Sequence, residues 1–398
     1  MMSTAIILFL LVLFFCLFIP DFFVSFKTWF SRIKIGQWKN KESWKMAVQN
    51  CSIKWLKSTP TIKLTDNHRL IIIDILRGNY KRDAIQYWQE AALVLGLSAQ
   101  YQQTKDEKIK IEIQRLIDRK IKPDGNWVNP ILESDGVILG YAFIQLTWID
   151  HQKLKPAYDA LWNLIQNLKG DDSTVAYKKQ SKKYRFVDTI GFICPFLVEY
   201  GQMYNNSEAL NLGIKQIEEF NTHAMLGDLF IPCHTYINKT KLPVGLFGWG
   251  RGLGWYAIGL IDAWRALSNT HPKKQEMTQW VEQFARMAMQ YQRENGSWGW
   301  IIMQDSTRSD SSTTATLAWF LTNAAGIPSI QNECKQATEK ALHYLMKVTR
   351  RDGAIDFSQG DTKAIGVHSQ EFDILPFTQG FALRSVVEGN DKSILQIK

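Results

Sequence analysis

Two aspartates in this chain stand where an apolar helix has no use for a carboxylate. Asp135 lies in Glu133-Ser134-Asp135-Gly136, ahead of Val137-Ile138-Leu139. Asp188 lies in Arg185-Phe186-Val187-Asp188-Thr189, ahead of the apolar run Ile190 to Leu197. Each opens a helix, so each serves equally well as an N-cap that accepts from the free N–H groups of the first turn. As a pair they suit acid/base work on a sugar, which needs one acid kept protonated. Burial among aromatics and a neighbouring carboxylate raise such an acid's pKa, whereas a helix N-terminus stabilises its anion. The sequence leaves that balance open.

The most unusual segment is Gly248-Trp249-Gly250-Arg251-Gly252-Leu253-Gly254-Trp255. Its alternating glycines let backbone approach a ligand closely. Trp249 and Trp255 offer flat apolar faces to a sugar ring, and Arg251 offers a fork to a carboxylate. A tight packing joint accounts for the glycines but not for a guanidinium between indoles. The spacing is not that of a dinucleotide-binding loop, and no strand precedes it. His234 follows Pro232-Cys233 in an irregular stretch, where a lone histidine is more often structural than catalytic. The basic run Lys178 to Arg185 leads into Asp188; it is a solvated loop or a rim that draws in anions. No H-E-x-x-H occurs, and His223 and His234 are 11 residues apart, so neither a metal nor an organic cofactor is expected. The five cysteines (16, 51, 194, 233, 334) contain no C-x-x-C.

These residues need elements to bring them together. Six times a loop rich in Gly, Trp, Asp or Ser runs into a strongly apolar helix. The starts fall near Ala84, Asp135, Asp188, Arg251, Thr313 and Pro376, at intervals of 51 to 63 residues. Amphipathic stretches such as Asp106–Arg119, Ser207–Phe220 and Gln275–Arg293 lie between them. A helix apolar on all sides is buried, and a one-sided one covers it. The repeat predicts an all-α (α/α)6 barrel, with an open α-solenoid as the alternative. A closed ring gathers all six loop-to-helix junctions at one end. Rossmann and TIM folds would need strands that the pattern lacks.

Of the 398 residues, 45% are hydrophobic and 21% charged, a globular composition. The net charge of +9 comes from Lys and Arg spread over surface helices, with no nucleic-acid motif, so a nucleic-acid partner is not expected. Ala5 to Ile19 is an unbroken apolar run of 15 residues, and Phe22, Phe23, Val24 and Phe26 extend it to 22. A bilayer span takes ~20 such residues. No Lys or Arg precedes the run and no A-x-A-like site follows it, which favours an uncleaved membrane anchor over a cleaved secretory peptide. Lys27, Arg32, Lys34, Lys39, Lys41 and Lys45 follow it, and the positive-inside rule would keep that side cytoplasmic unless the domain is translocated whole. The expected organisation is an anchor over residues 1–26, crossing the membrane through residues 5–26, and a barrel over residues 27–398.

Together the junctions resemble glycoside hydrolase families 88 and 105, the unsaturated glucuronyl and rhamnogalacturonyl hydrolases. The likeness lies in an Asp before an inner helix and, some fifty residues on, Asp188 through Pro195-Phe196-Leu197. His234, the Trp249–Trp255 run, Ser311–Ala315 and Thr378–Leu383 follow in the family's order. The resemblance implies an (α/α)6 barrel that acts on an acidic oligosaccharide or polysaccharide by hydrating a terminal 4,5-unsaturated uronic acid. It implies Asp188 as general acid/base and Asp135 as the residue that holds ring hydroxyls and tunes Asp188. It places His234, Trp249, Arg251 and Trp255 in the sugar subsite and calls for no cofactor. The anchor and the sequence Val187-Asp188-Thr189 depart from the family. They fit a membrane-tethered glycan-binding or polysaccharide assembly and export factor, catalytically idle, as the alternative.

Overall fold

Helices buried on every side alternate along the chain with helices buried along one stripe, and this alternation builds the fold. A computed structural model describes residues 2–63, 66–79 and 86–389. Its helices are α1 (Met2–Arg32), α2 (Lys41–Lys57), α3 (Ile71–Leu76), α4 (Gln86–Thr104), α5 (Glu107–Lys120), α6 (Val137–Ile144) and α7 (Lys155–Leu168). There follow α8 (Val187–Met203), α9 (Ser207–Ala224), α10 (Gly250–Ala266), α11 (Lys274–Gln290), α12 (Ser311–Ala324), α13 (Gln331–Lys347) and α14 (Pro376–Glu388). All of α6 is buried, and all of α12 except Thr322. By contrast α5 buries Ile109, Glu112, Ile113, Leu116 and Ile117, a single stripe at helical spacing.

The even-numbered helices α4, α6, α8, α10, α12 and α14 pack each on the next, and α14 returns to α4. Helices α2, α5, α7, α9, α11 and α13 cover them from outside. This is the expected (α/α)6 barrel, closed rather than an open solenoid. Five of the six junctions fall within a few residues of their expected starts; the sixth, Ala84, lies outside the described residues.

Closure depends on glycine. A Cβ on Gly96 of α4 would lie 2.3 Å from the Gly380 carbonyl oxygen, and one on Gly380 of α14 would lie 2.1 Å from that of Ala92. The first and last inner helices therefore meet backbone to backbone. Outside, the turn after α13 puts Gly353 (φ +85°) where a Cβ would sit 2.2 Å from the Ala47 carbonyl of α2, so the outer ring closes by the same device. Inside, Arg384 of α14 donates to Asp262 of α10 at 2.6 Å and to the Tyr141 hydroxyl of α6 at 3.3 Å. Trp319 of α12 donates to the same Asp262 at 2.9 Å and lies under the guanidinium. This buried group ties four inner helices together across the barrel.

The structure adds strands that the sequence pattern did not predict. β1 (Tyr184–Phe186), β2 (Cys233–Ile237) and β3 (Pro243–Phe247) form an antiparallel sheet in that order, with Arg185 opposite Tyr236. β4 (Ser358–Gln359) and β5 (Phe372–Asp373) form a hairpin. The first four residues of β2 are all buried, so it shows no period-2 alternation to read. His234, expected in an irregular stretch, sits on β2 at a register shift between Cys233 and Thr235.

Helix α1 is long and apolar enough to cross a membrane, with a mean hydropathy of 2.8, and none of that window is buried. It runs through Pro20 and ends at Arg32, whose guanidinium holds Asp356 at 2.6 and 3.0 Å. Arg350 grips the same carboxylate at 2.7 and 2.9 Å. Replacing Gly380 by Ala forces α4 and α14 apart against backbone that cannot yield. A loss of about 2–4 kcal/mol in urea-unfolding stability is expected, and a loss within experimental error would mean that the seam is not closely packed.

Candidate active site

The cavity sits at the end of the barrel where the inner helices begin. Strand β1 runs straight into α8, with extended Phe186 as the cap residue and Asp188 in the first turn. Asp188 is thus not an N-cap, and Asp135, inside the 3-10 turn Ser134–Gly136, is not one either. Beside them, fully buried Arg185 bonds Asp172 at 2.5 Å, so the basic run ends in a structural ion pair. The Thr235 hydroxyl donates to the Arg185 carbonyl at 2.8 Å and locks β2 against β1. That lock brings His234 Nε2 to 3.7 Å from Asp188 Oδ2.

Asp188, His234, Trp249, Arg251 and Trp255 all line one cavity of about 530 Å3, together with Trp88, Tyr177, Lys178, Phe192, Asp361 and Lys363. Trp255 forms an aromatic cluster with Phe192, Phe377 and Trp88 at centroid distances of 4.4, 4.6 and 5.7 Å. Asp135 is not among the lining residues. It lies behind the wall, 8% exposed, and Tyr177 stands in the field of Asp135, Asp188 and Asp361 together.

Burial pushes the Asp188 carboxyl up to about 7, with Asp361 adding to the rise while a backbone hydrogen bond and Arg251 oppose it. Asp135 is likewise pushed up to about 7 by burial and then by Glu133. His234 is driven down to about 3 by burial, then by His368 and Arg251. The close pair is therefore a neutral imidazole beside a carboxyl poised near neutrality, not an ion pair. Asp188 Oδ2 and His234 Nδ1 have no hydrogen-bond partner among the described residues.

Arg251 shows a second use for its fork. It donates to the carbonyls of Gln359 at 2.6 Å and Gly360 at 2.7 Å, and Thr362 Oγ1 is at 3.3 Å. Trp249 Nε1 donates to Gln359 Oε1 at 3.0 Å. Both residues thereby hold the loop between β4 and β5 across the cavity, where Asp361 to Ile365 form one wall. Two of the alternating glycines, which the sequence suggested for close approach to a ligand, are taken up by helix packing. A Cβ on Gly250 would lie 2.1 Å from Thr313 Oγ1, and one on Gly254 2.4 Å from Thr316 Oγ1, so they seat α10 on α12. The Ser/Thr-rich start of α12 is structural too. Asp310 caps it and also accepts from Gln359 N at 2.9 Å, which places the loop that Arg251 holds.

Sequence reasoning missed Asp361, Lys363 and His368. All three lie on the β4–β5 loop, which has no periodicity to read. His368 packs on Trp249 at 4.8 Å and His234 at 5.4 Å, and both of its ring nitrogens lack partners among the described residues. Among those residues no group of three His, Cys, Asp or Glu side chains could hold a metal ion.

The paired helices thus form a ring with one carboxyl-bearing cavity at its mouth. The chain belongs to glycosyl hydrolase family 88, whose family model matches residues 68–388, and it is a glycoside hydrolase. It is similar to the unsaturated rhamnogalacturonyl hydrolase YesR of Bacillus subtilis, at 19% identity over 79% of this chain and 92% of that protein. Among solved structures it resembles a possible family 105 member from Salmonella enterica, with TM-score 0.74 and 16% identity over 88% of this chain and 94% of that one. It also resembles the unsaturated glucuronyl hydrolase of Bacillus sp. GL1, with TM-score 0.65 and 16% identity over 90% of this chain and 98% of that one.

The raised Asp188 pKa has a thermodynamic consequence. In the unfolded chain the carboxyl ionises near 3.8, whereas the fold holds its proton up to about 7. Stability is therefore lost progressively as pH rises through that window, and the full cost is present above it. Asp188→Asn should raise the thermal midpoint at pH 8, by no more than about 4 kcal/mol in free energy, and leave it unchanged at pH 4. Equal effects at both pH values would show that the carboxyl is solvated.

Proposed function

We propose that the cavity hydrates the terminal 4,5-unsaturated uronic acid of an acidic oligosaccharide, with Asp188 as general acid and then general base. The carrying observation is a carboxyl held near neutrality whose unpartnered oxygen lies in a cavity walled by indoles and cations. Neutral Asp188 gives its proton to C4 of the sugar's double bond, and positive charge develops at C5, shared with the ring oxygen. Water adds at C5 and returns a proton to the Asp188 carboxylate. The resulting hemiketal opens, and the exposed C1 centre releases the aglycone as an alcohol. The lining cations Lys178, Lys363 and Arg251 suit the uronate carboxylate, and the Trp249 and Trp255 faces suit its ring. Neutral His234 can hydrogen-bond a hydroxyl or the attacking water. Asp135 acts from behind the wall, where its charge state bears on the field at Tyr177.

Incubation with oligosaccharides generated by a polysaccharide lyase tests this, followed as loss of ultraviolet absorbance from the conjugated double bond. Asp188→Asn should lower turnover about 100- to 10,000-fold while keeping sugar affinity. With Asp188 needed in its acid form, kcat should be flat at low pH and fall above about 7. A rate that rises through that region, or an undiminished Asn variant, sinks the assignment.

We also read α1 as an uncleaved membrane segment, on its length and on an apolar window none of which is buried. This observation favours a second reading, a tethered glycan-binding or assembly factor of the same fold. Native protein that retains such oligosaccharides yet never turns them over would establish it. Full-length protein should stay with membranes through an alkaline wash; release into the supernatant, or a product shortened by processing, would mark α1 as a secretory signal.

A further inference from the structure

We propose that α3 and the adjoining part of α1 form a bilayer-docking face that holds the mouth of the barrel at the membrane surface. The proposal rests on α1 being a retained membrane segment and goes beyond it, because an anchor alone leaves the barrel free to tumble on its tether.

Helix α3 is inside out for a surface helix in water. Its one carboxylate, Asp74, is fully buried, held by Lys63 at 2.9 Å and Asn79 at 2.8 Å with Arg69 at 3.9 Å. Three of its five aliphatic residues are exposed: Ile73 at 37%, Ile75 at 58% and Leu76 at 82%. An exposed cluster of large aliphatics marks a surface that another phase or partner covers.

The position of the cluster identifies that occupant as lipid. Asp21 of α1 accepts from the backbone N–H of Ile71 through both oxygens, at 3.2 and 3.1 Å, and so fixes the start of α3. Asp21 is the first charged residue of α1, past the unbroken run Ala5–Ile19 and within about two turns of the end of the 5–26 segment, so α3 meets α1 near the interfacial end of the span. The aromatic residues that follow Asp21 on α1, Phe22, Phe26, Trp29 and Phe30, are exposed as well. Such rings are enriched at membrane interfaces. Lys27, Arg69 and Arg77 flank the patch and favour anionic headgroups.

Two independent ties join this face to the cavity wall. Asp66, ahead of α3, accepts from Ser369 Oγ at 2.7 Å and Gln370 N at 2.9 Å. Arg32, at the end of α1, holds Asp356, three residues before the Gln359 that Arg251 and Trp249 bind. One tie ends on the β4–β5 loop that walls the cavity and the other just ahead of β4. The docked face therefore fixes the mouth beside the lipid surface, where it suits a glycan whose end lies near the membrane plane.

The test uses full-length protein in phosphatidylcholine vesicles with and without phosphatidylglycerol. In a Cys16→Ser background the other four cysteines are buried, so a single added thiol can be labelled. A fluorophore on Leu76→Cys is compared with one on Ile111→Cys, on the outer face of α5 and 48% exposed in the parent residue. The Leu76 label should be quenched several-fold more by a shallow spin-labelled lipid and several-fold less by aqueous iodide, more so with the anionic lipid. Equal quenching at the two sites in vesicle-bound protein overturns the docking face while leaving α1 as an anchor. Protein that does not associate with vesicles overturns both. Neither readout involves turnover, so the hydrolase assignment stands or falls separately.

Discussion

Six helices with no polar face can share one domain only if every side of each finds another apolar surface. A closed ring provides this, and here it closes through the backbone contact of α4 with α14 at Gly96 and Gly380. A side chain at either glycine would hold the seam open and expose apolar flanks on both helices. Because the ring closes, the N-terminal ends of the inner helices converge, and residues separated by more than two hundred positions share one cavity. The Arg384–Asp262 pair with Trp319 and Tyr141 fills the space inside. A buried charge pair of this kind is costly unless fully hydrogen-bonded, and its indole and hydroxyl partners meet that need.

The electrostatics of the mouth follow from enclosure. A carboxylate in the first turn of a helix normally gains from free N–H groups, and from the sequence alone that effect competes evenly with burial. In the fold, burial wins at Asp188. Its side chain keeps 17% of its surface, and that surface faces the aromatic cavity rather than bulk water. The same enclosure strips His234 of its proton. Two groups that would form an ion pair in water meet instead as a neutral imidazole and a carboxyl that keeps its proton up to about pH 7.

The barrel was legible because all-round apolarity and loop chemistry repeat at a nearly constant interval. Asp188, Trp249, Arg251 and Trp255 were legible because they sit at those repeats, and His234 because it falls between two of them in the order the family resemblance implies. The β4–β5 loop was not: its place is fixed by bonds from Arg251 and Asp310 to its backbone, and backbone bonds leave no trace in side-chain type. Asp361 and His368 were hidden for the same reason. The glycines between Trp249 and Trp255 misled because a helix-packing glycine and a ligand-approach glycine look identical until the neighbouring helix, here α12 with Thr313 and Thr316, is in place. The short strands escaped because β2 is buried on both faces.

The plug of Arg384, Asp262, Trp319 and Tyr141 makes the cavity a cul-de-sac. Nothing can thread through the ring, so the cavity has one mouth for both entry and exit. Its floor can therefore meet only the end of a guest molecule, never the interior of a threaded chain.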